Sequence, residues 1–397
     1  MNDRPAPPAS PLSYFPSPSP SSPAPSVAPP ILRPELAQAH AYVPPKGTFH
    51  LRLDANEAPN LWSERARARF GELARSTELN RYPDPACSEL RRALAARHGG
   101  APGEYVIGAG SDENIAVLLS ALGRAREPAA AQRVVTLSPT FVMYRVSALV
   151  RGIEVVEVPT DEAWGVSERG VVEAIERVDP HVVFLATPNN PTGRAITPSA
   201  LRTIVEAAPN ALVVVDEAYG PYADEGFGDW PARYPNVALL GTLSKVGLAA
   251  LRVGWLRGRP ELVHELDKMR PPYNVPSLSQ RLAIAALDEF PDELERIATI
   301  VRSEREVLTK GLAELGFVVT PSQANFVWAR SPLLAAELCS KLATRGVSLR
   351  HFPSAGERLR DHVRVTVGTA AEHEELFQAL RHVLAEGSGP PIAHPLR

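Results

Sequence analysis

Five places in the chain set polar residues directly after, or inside, short apolar runs. In α/β sheets, ligands collect at the carboxyl ends of the strands, so these are the places to look for chemistry. The run 106–110 leads into Ser111-Asp112-Glu113 and a further apolar stretch. Gly108 and Gly110 permit a tight turn. Ser111 and Asp112 are placed to cap a helix whose free N–H groups would face an anion such as phosphate. A dinucleotide fingerprint would need a third glycine where Glu113 stands and an acid about 20 residues on. Position 133 is Arg, so that reading fails. After 182–185 comes Thr187-Pro188-Asn189-Asn190-Pro191-Thr192-Gly193. The prolines and glycine fix a turn, which accounts for one asparagine and leaves the other as a candidate fixed donor.

After 212–215 comes Asp216-Glu217-Ala218-Tyr219. An acid ending a buried strand is costly to ionise without a partner, and a cationic ligand would be one; a solvated acid at a frayed strand end is the plain alternative. Thr242-Leu243-Ser244-Lys245 is followed by small and apolar residues as far as Arg252. Partial desolvation would favour the neutral, nucleophilic amine of Lys245, which suits Schiff-base chemistry, while Thr242, Ser244 and Arg252 suit phosphate. Last, Arg364 interrupts the apolar run 363–367, with Arg350 upstream. An Arg within an apolar strand demands an anion, either a structural carboxylate or a ligand. The ten histidines show no metal-ligand spacing, and no nucleophile elbow or phosphate-binding Gly-Lys loop is present.

The elements that would position these residues alternate. Apolar runs at 134–137, 182–185, 212–215 and 238–240 are separated by helix-like stretches at 88–98, 113–122 and 199–207. That order predicts a mostly parallel sheet covered by helices on both faces. Past residue 275 the pattern changes to a long helical region, 277–315, interrupted by Pro291. Strand-like 317–320 and 326–329, helix-like 333–344, and strands 347–349 and 363–367 follow, which reads as a smaller α+β domain. The fold class expected is therefore α/β, with a smaller C-terminal α+β unit.

Composition narrows the function. Lys and Arg total 42 against 45 Asp and Glu, a net charge of −3, without the basic excess of a nucleic-acid binder. The two cysteines, Cys87 and Cys339, exclude a disulfide framework. No apolar run reaches the roughly 18 residues that span a bilayer, and the N-terminus does not read as a signal peptide, so a cytoplasmic setting is expected. Eleven of the 40 prolines fall within residues 1–30, with seven serines, so that tail is expected to be disordered; residues 387–397 read as a second tail.

Over about residues 31–386 the sequence resembles the fold-type I pyridoxal-phosphate aminotransferases, and within them the histidinol-phosphate aminotransferase family. The resemblance is carried by Leu53-Asp54-Ala55-Asn56-Glu57, Asn80-Arg81-Tyr82-Pro83-Asp84-Pro85, the Gly108–Glu113 turn and Asn190-Pro191-Thr192-Gly193. Asp216-x-x-Tyr219, Ser244-Lys245, Pro272-Tyr273-Asn274-Val275 and the stretch 363–369 complete it. It implies an N-terminal arm (31–65) joining the small domain, a large cofactor-binding domain (66–276) and a small C-terminal domain (277–386). It also implies that Lys245 holds pyridoxal 5′-phosphate covalently and then moves a proton, with Asp216 on the pyridine nitrogen. Tyr219 and Asn190 would sit at the ring's 3-oxygen. Phe141, where a Tyr is common, would stack on the ring. Ser111, Asp112, Thr242, Ser244 and Arg252 would clamp the phosphate. Tyr82 would reach the cofactor of a second subunit, which implies a homodimer. Arg364, Arg350, Tyr42 and Asn56 would form the substrate pocket, with support from Asn325. The implied reaction exchanges an amino group between L-histidinol phosphate and 2-oxoglutarate. An aromatic aminotransferase or a threonine-phosphate decarboxylase would share most of these residues. A non-catalytic pyridoxal-phosphate regulator would need a basic DNA-binding segment, and residues 1–30 hold one Arg and no Lys.

Overall fold

The computed structural model describes residues 47–123, 131–352 and 356–387, together with 31, 33, 35 and 36. The Pro-rich segment 1–30 and Tyr42 lie outside the described residues, as does the expected C-terminal tail beyond Gly387, which ends the last helix. Twelve strands fall among the described residues: β1 (Leu51–Leu53), β2 (Tyr105–Ala109), β3 (Arg133–Ser138), β4 (Glu154–Pro159), β5 (Val182–Ala186), β6 (Leu212–Asp216), β7 (Val237–Thr242), β8 (Val253–Arg257), β9 (Val318–Thr320), β10 (Phe326–Arg330), β11 (Val347–His351) and β12 (His362–Thr366).

Seven of them form one sheet in the order β2-β8-β7-β6-β5-β3-β4. Only β8 runs against its neighbours; β3 to β7 pair in parallel. The apolar runs of β5, β6 and β7 are continuous because both faces are covered. Val213 and Val215 pack toward Val171, Ile175, Leu201 and Ile204 of the helices Glu168–Val178 and Pro198–Ala207. Val214, between them, packs on the other side toward Ile115, Leu118 and Val263 of the helices Ser111–Ser120 and Pro260–Met269. The result is the helix–sheet–helix layering that the alternating pattern predicts.

The other five strands form a second sheet, β1-β11-β12-β10-β9, antiparallel except for the β1–β11 pair. Its residues alternate between faces. Val327, Ala329, Val363 and Val365, none of them exposed, belong to the core shared with Leu308, Leu342 and Leu376 from the helices Pro291–Glu314, Ala335–Ala343 and Ala370–Gly387. The opposite face carries Phe326, Trp328, His362, Arg364 and Thr366 and faces loops that follow strands of the first sheet, with Arg364 on Asn190, Phe326 on Tyr219 and Trp328 on Trp164. The expected interruption at Pro291 is present: one helix spans Ser277–Asp288, and Pro291 opens the next at its first position, where a missing N–H costs nothing.

Candidate active site

The polar residues singled out in the sequence gather along one edge of the seven-stranded sheet. Asp216 ends β6, beside Ala186 of β5 and Leu240 of β7 in the register. The turn 108–112 follows β2, Phe141 follows β3, Asn190 follows β5, and Thr242 to Lys245 follow β7. Arg252 precedes β8, which runs the opposite way, so it falls at the same edge.

Asp216 is buried, 4% exposed. The Tyr144 hydroxyl donates to its Oδ2 at 2.6 Å and the Ala218 N–H to its Oδ1 at 2.9 Å. Burial pushes the carboxyl above the ordinary carboxylate range, against these two bonds. Among the described residues no Lys or Arg lies within ion-pair distance of it. Tyr144 is itself held between Phe184, stacked at 4.7 Å, and Phe141, edge-on at 5.6 Å.

Lys245 ends a 3-10 turn, Leu243–Lys245, and its Nζ lies 5.8 Å from the centre of the Tyr219 ring. The Tyr222 hydroxyl donates to the Lys245 carbonyl, which fixes the backbone that carries the amine. Tyr219 packs edge-on against Phe326 at 5.0 Å, and the Asn56 carboxamide donates to its hydroxyl oxygen at 2.9 Å. Asn56, 1% exposed and with φ 55°, also donates its N–H to Thr366 Oγ1 at 3.0 Å and accepts from Asn325 Nδ2 at 3.0 Å. Asn56 and Asn325 therefore join Tyr219 to the second sheet.

The turn before the helix Ser111–Ser120 departs from expectation in one respect. The N-cap is Gly110, with φ 89°, and no side chain caps the helix; Ser111 and Asp112 lie in its first turn. The positive φ favours glycine at the cap position, and Arg252 lies over it, with Nη2 2.4 Å from where a Cβ on Gly110 would stand. The first N–H groups of the helix are thus left for something other than a cap. Arg252 donates to Ser244 Oγ at 3.1 Å, and Asp112 lies 3.6 Å from Nη2. Thr242 donates to the Val253 carbonyl at 3.0 Å and accepts from the Ser244 N–H at 3.0 Å. Glu113, in the place of the missing third glycine, accepts from the Ala109 N–H at 2.7 Å and from Asn274 at 2.5 Å and so pins the turn.

The two asparagines divide their work. Asn189 is buried in the turn, donating to the Pro139 carbonyl and accepting from Thr140. Asn190 faces the second sheet, and its Oδ1 accepts from Arg364 Nη1 at 2.6 Å. Arg364 Nη2 donates to the Asp54 carbonyl at 2.6 Å. Arg350 lies directly opposite Arg364 in the β11–β12 register, and Trp328 opposite it in the β10–β12 register. Residues paired this way share a face, so Arg350 and Arg364 project from neighbouring strands on the same side. The guanidinium carbons of Arg350 and Arg364 lie 5.9 and 6.0 Å from the Phe352 ring centre.

Tyr82 is not brought to this cluster within the chain. It is 80% exposed and stacks on Tyr273 at 4.5 Å. Tyr144 is the residue the sequence reading missed: it stands 72 positions before Asp216, and no spacing links the two.

These residues fit pyridoxal phosphate. A buried carboxylate lacking a cation suits a protonated pyridine nitrogen. The uncapped helix start with Arg252, Ser244 and Thr242 suits a phosphate. Lys245 lies at the same sheet edge.

Residues 50–380 match the family model described as aminotransferase class I and II. "Histidinol-phosphate aminotransferase 2" of Nitrosococcus oceani is 38% identical over 88% of this chain and 96% of its own length. The histidinol-phosphate aminotransferase of Chromobacterium violaceum is 38% identical over 88% of this chain and 97% of its own. The histidinol-phosphate aminotransferase of Sinorhizobium meliloti, solved in complex with pyridoxal-5′-phosphate, superposes with a TM-score of 0.76 at 25% identity, covering 85% of this chain and 92% of that one. With sequence, fold and site in agreement, the chain belongs to the class I and II aminotransferase family, among the histidinol-phosphate aminotransferases.

Proposed function

We propose that this pyridoxal-phosphate-dependent aminotransferase transfers the amino group of L-histidinol phosphate to 2-oxoglutarate, giving imidazole-acetol phosphate and L-glutamate, as a step of histidine biosynthesis in the cytoplasm. The observation that carries the substrate reading is the Arg350–Arg364 pair. Two arginines on one face, both over the Phe352 ring, suit an anion, and a phosphate dianion, or a carboxylate in the second half of the cycle, supplies it.

Lys245 would hold the cofactor through Nζ, and its amine would carry the proton off the substrate Cα. Asp216 keeps a proton on the pyridine nitrogen, and Tyr144 holds the carboxylate in place for it. When bound, pyridoxal phosphate supplies a protonated ring that takes up electron density from Cα as its proton leaves. The Asn190 oxygen is taken by Arg364, so its amide hydrogens are the groups left to donate to the ring's 3-oxygen, alongside Tyr219. The helix start at Ser111 and Asp112, with Thr242, Ser244 and Arg252, anchors the phosphate, and Phe141 covers the ring. Asn56, with Asn325, and Tyr42 complete the pocket. The large unit runs over 66–276, the small one over 277–386, and the arm 31–65 joins the small one. Tyr82 reaches the second subunit of a homodimer; its exposure, with that of Leu79 and Tyr273, supports a covering partner.

A half-reaction tests this reading. Histidinol phosphate alone, without keto acid, should shift the visible absorbance of the cofactor-loaded enzyme, and 2-oxoglutarate should reverse the shift. A response to Phe, Tyr or threonine phosphate instead would move the activity to a neighbouring substrate class.

A further inference from the structure

Behind the Arg350–Arg364 pair stands an aromatic wall built from both sheets. Phe352 packs edge-on against Trp328 at 5.4 Å, and Trp328 against Trp164 at 5.6 Å. His362 stacks on Trp328 at 5.0 Å and meets Trp164 at 4.9 Å. Trp164 comes from the loop that follows β4 in the seven-stranded sheet; the other three belong to the second sheet or its loops. Trp164 is 8% exposed with φ 67°, a left-handed conformation that a bulky side chain holds only when its surroundings impose it. The turn that carries it imposes it, the Trp164 N–H donating to the Asp161 carbonyl at 3.1 Å and the Gly165 N–H to Asp161 Oδ1 at 2.7 Å, and Arg358 fastens that turn from outside. From the 3-10 turn Glu357–Leu359, its Nη1 donates to the Thr160 carbonyl at 3.0 Å and approaches Thr160 Oγ1 at 3.1 Å, and its Nη2 donates to the Asp161 carbonyl. Its guanidinium carbon lies 3.9 Å over the Trp164 ring. One exposed side chain thus clamps the loop after β4 to the second sheet and closes the wall against which both anion-binding arginines rest.

We propose that Arg358 is a positioning residue for the substrate anion: by holding Trp164 on Trp328, which in turn packs on Phe352, it sets the placement of Arg350 and Arg364. This rests on the reading of that pair as the substrate-anion site. Arg358 touches neither substrate nor cofactor, so its loss acts on binding. In the cofactor-loaded enzyme, Arg358→Ala should raise KM for histidinol phosphate, and the inhibition constant of inorganic phosphate, by about fivefold, the size of coupling carried through a chain of packed side chains. The kcat should stay within about twofold. Arg358→Lys keeps the charge over the ring but not the three-oxygen grip, so it should recover part of the effect. Trp164→Phe should shift KM the same way if the alanine variant folds poorly. Unchanged KM and phosphate inhibition, or a loss confined to kcat and melting temperature, would overturn the proposal. If the unmodified enzyme ignores histidinol phosphate, the substrate reading fails separately, and phosphate inhibition of the glutamate half-reaction still decides the role of Arg358.

Discussion

Arg364 donates to the Asn190 carboxamide oxygen and to the Asp54 carbonyl oxygen, each at 2.6 Å. One guanidinium from the second sheet therefore holds the turn after β5 and the chain just after β1. The same side chain that would bind a substrate anion also orients Asn190, which would sit at the cofactor ring, so substrate binding and ring alignment would share a contact.

Arg364→Ala should raise KM for both histidinol phosphate and glutamate. A charged hydrogen bond is worth about 1.5–3 kcal/mol, roughly ten- to a hundredfold. Arg350→Ala should act in the same direction with less effect, because the Asn190 contact survives. Steady-state kinetics with each substrate in turn checks this, and an unchanged KM for both in Arg364→Ala would sink the shared pocket.

Lys245→Ala should abolish turnover and the absorbance change on adding cofactor, while the melting temperature stays close to that of the unmodified enzyme without cofactor. Turnover by the variant would remove Lys245 from the chemistry.

Much of this was legible in the residues. The runs 182–185 and 212–215 announce buried parallel strands, and alternation in 363–367 sets Arg364 on the face opposite Val363 and Val365. What lay hidden depends on tertiary approach. Nothing local marks Tyr144 as the partner of Asp216, or Arg358 as the clamp on Trp164. Ser111 and Asp112 look like caps, yet the cap position is Gly110, held at a positive φ with Arg252, distant in sequence, lying over it.

Tyr144→Phe removes the hydroxyl bond that opposes the burial of Asp216. With that bond gone the carboxyl should rise further, so the acid limb of kcat/KM should move to higher pH. The stacked ring on Phe184 remains, which separates this effect from repacking. A pH–rate profile with an unmoved acid limb would refute the role.

Glu217, next to Asp216, gives a stability prediction of definite sign. Burial pushes its carboxyl from 4.5 up to about 7, although the Phe227 N–H donates to Oε1 at 2.9 Å. Between those values the folded chain binds the proton and the unfolded chain has lost it. Stability should therefore fall as pH rises from about 4.5 to about 7 and be flat in this respect above 7, with up to about 3 kcal/mol at stake. Glu217→Gln keeps an oxygen for the Phe227 N–H and cannot ionise, so its stability should lack that slope and exceed that of the unmodified protein at pH 7.5. Urea denaturation of both proteins at pH 5 and pH 7.5 reads the difference, and equal slopes would show that Glu217 finds a compensating charge when it ionises.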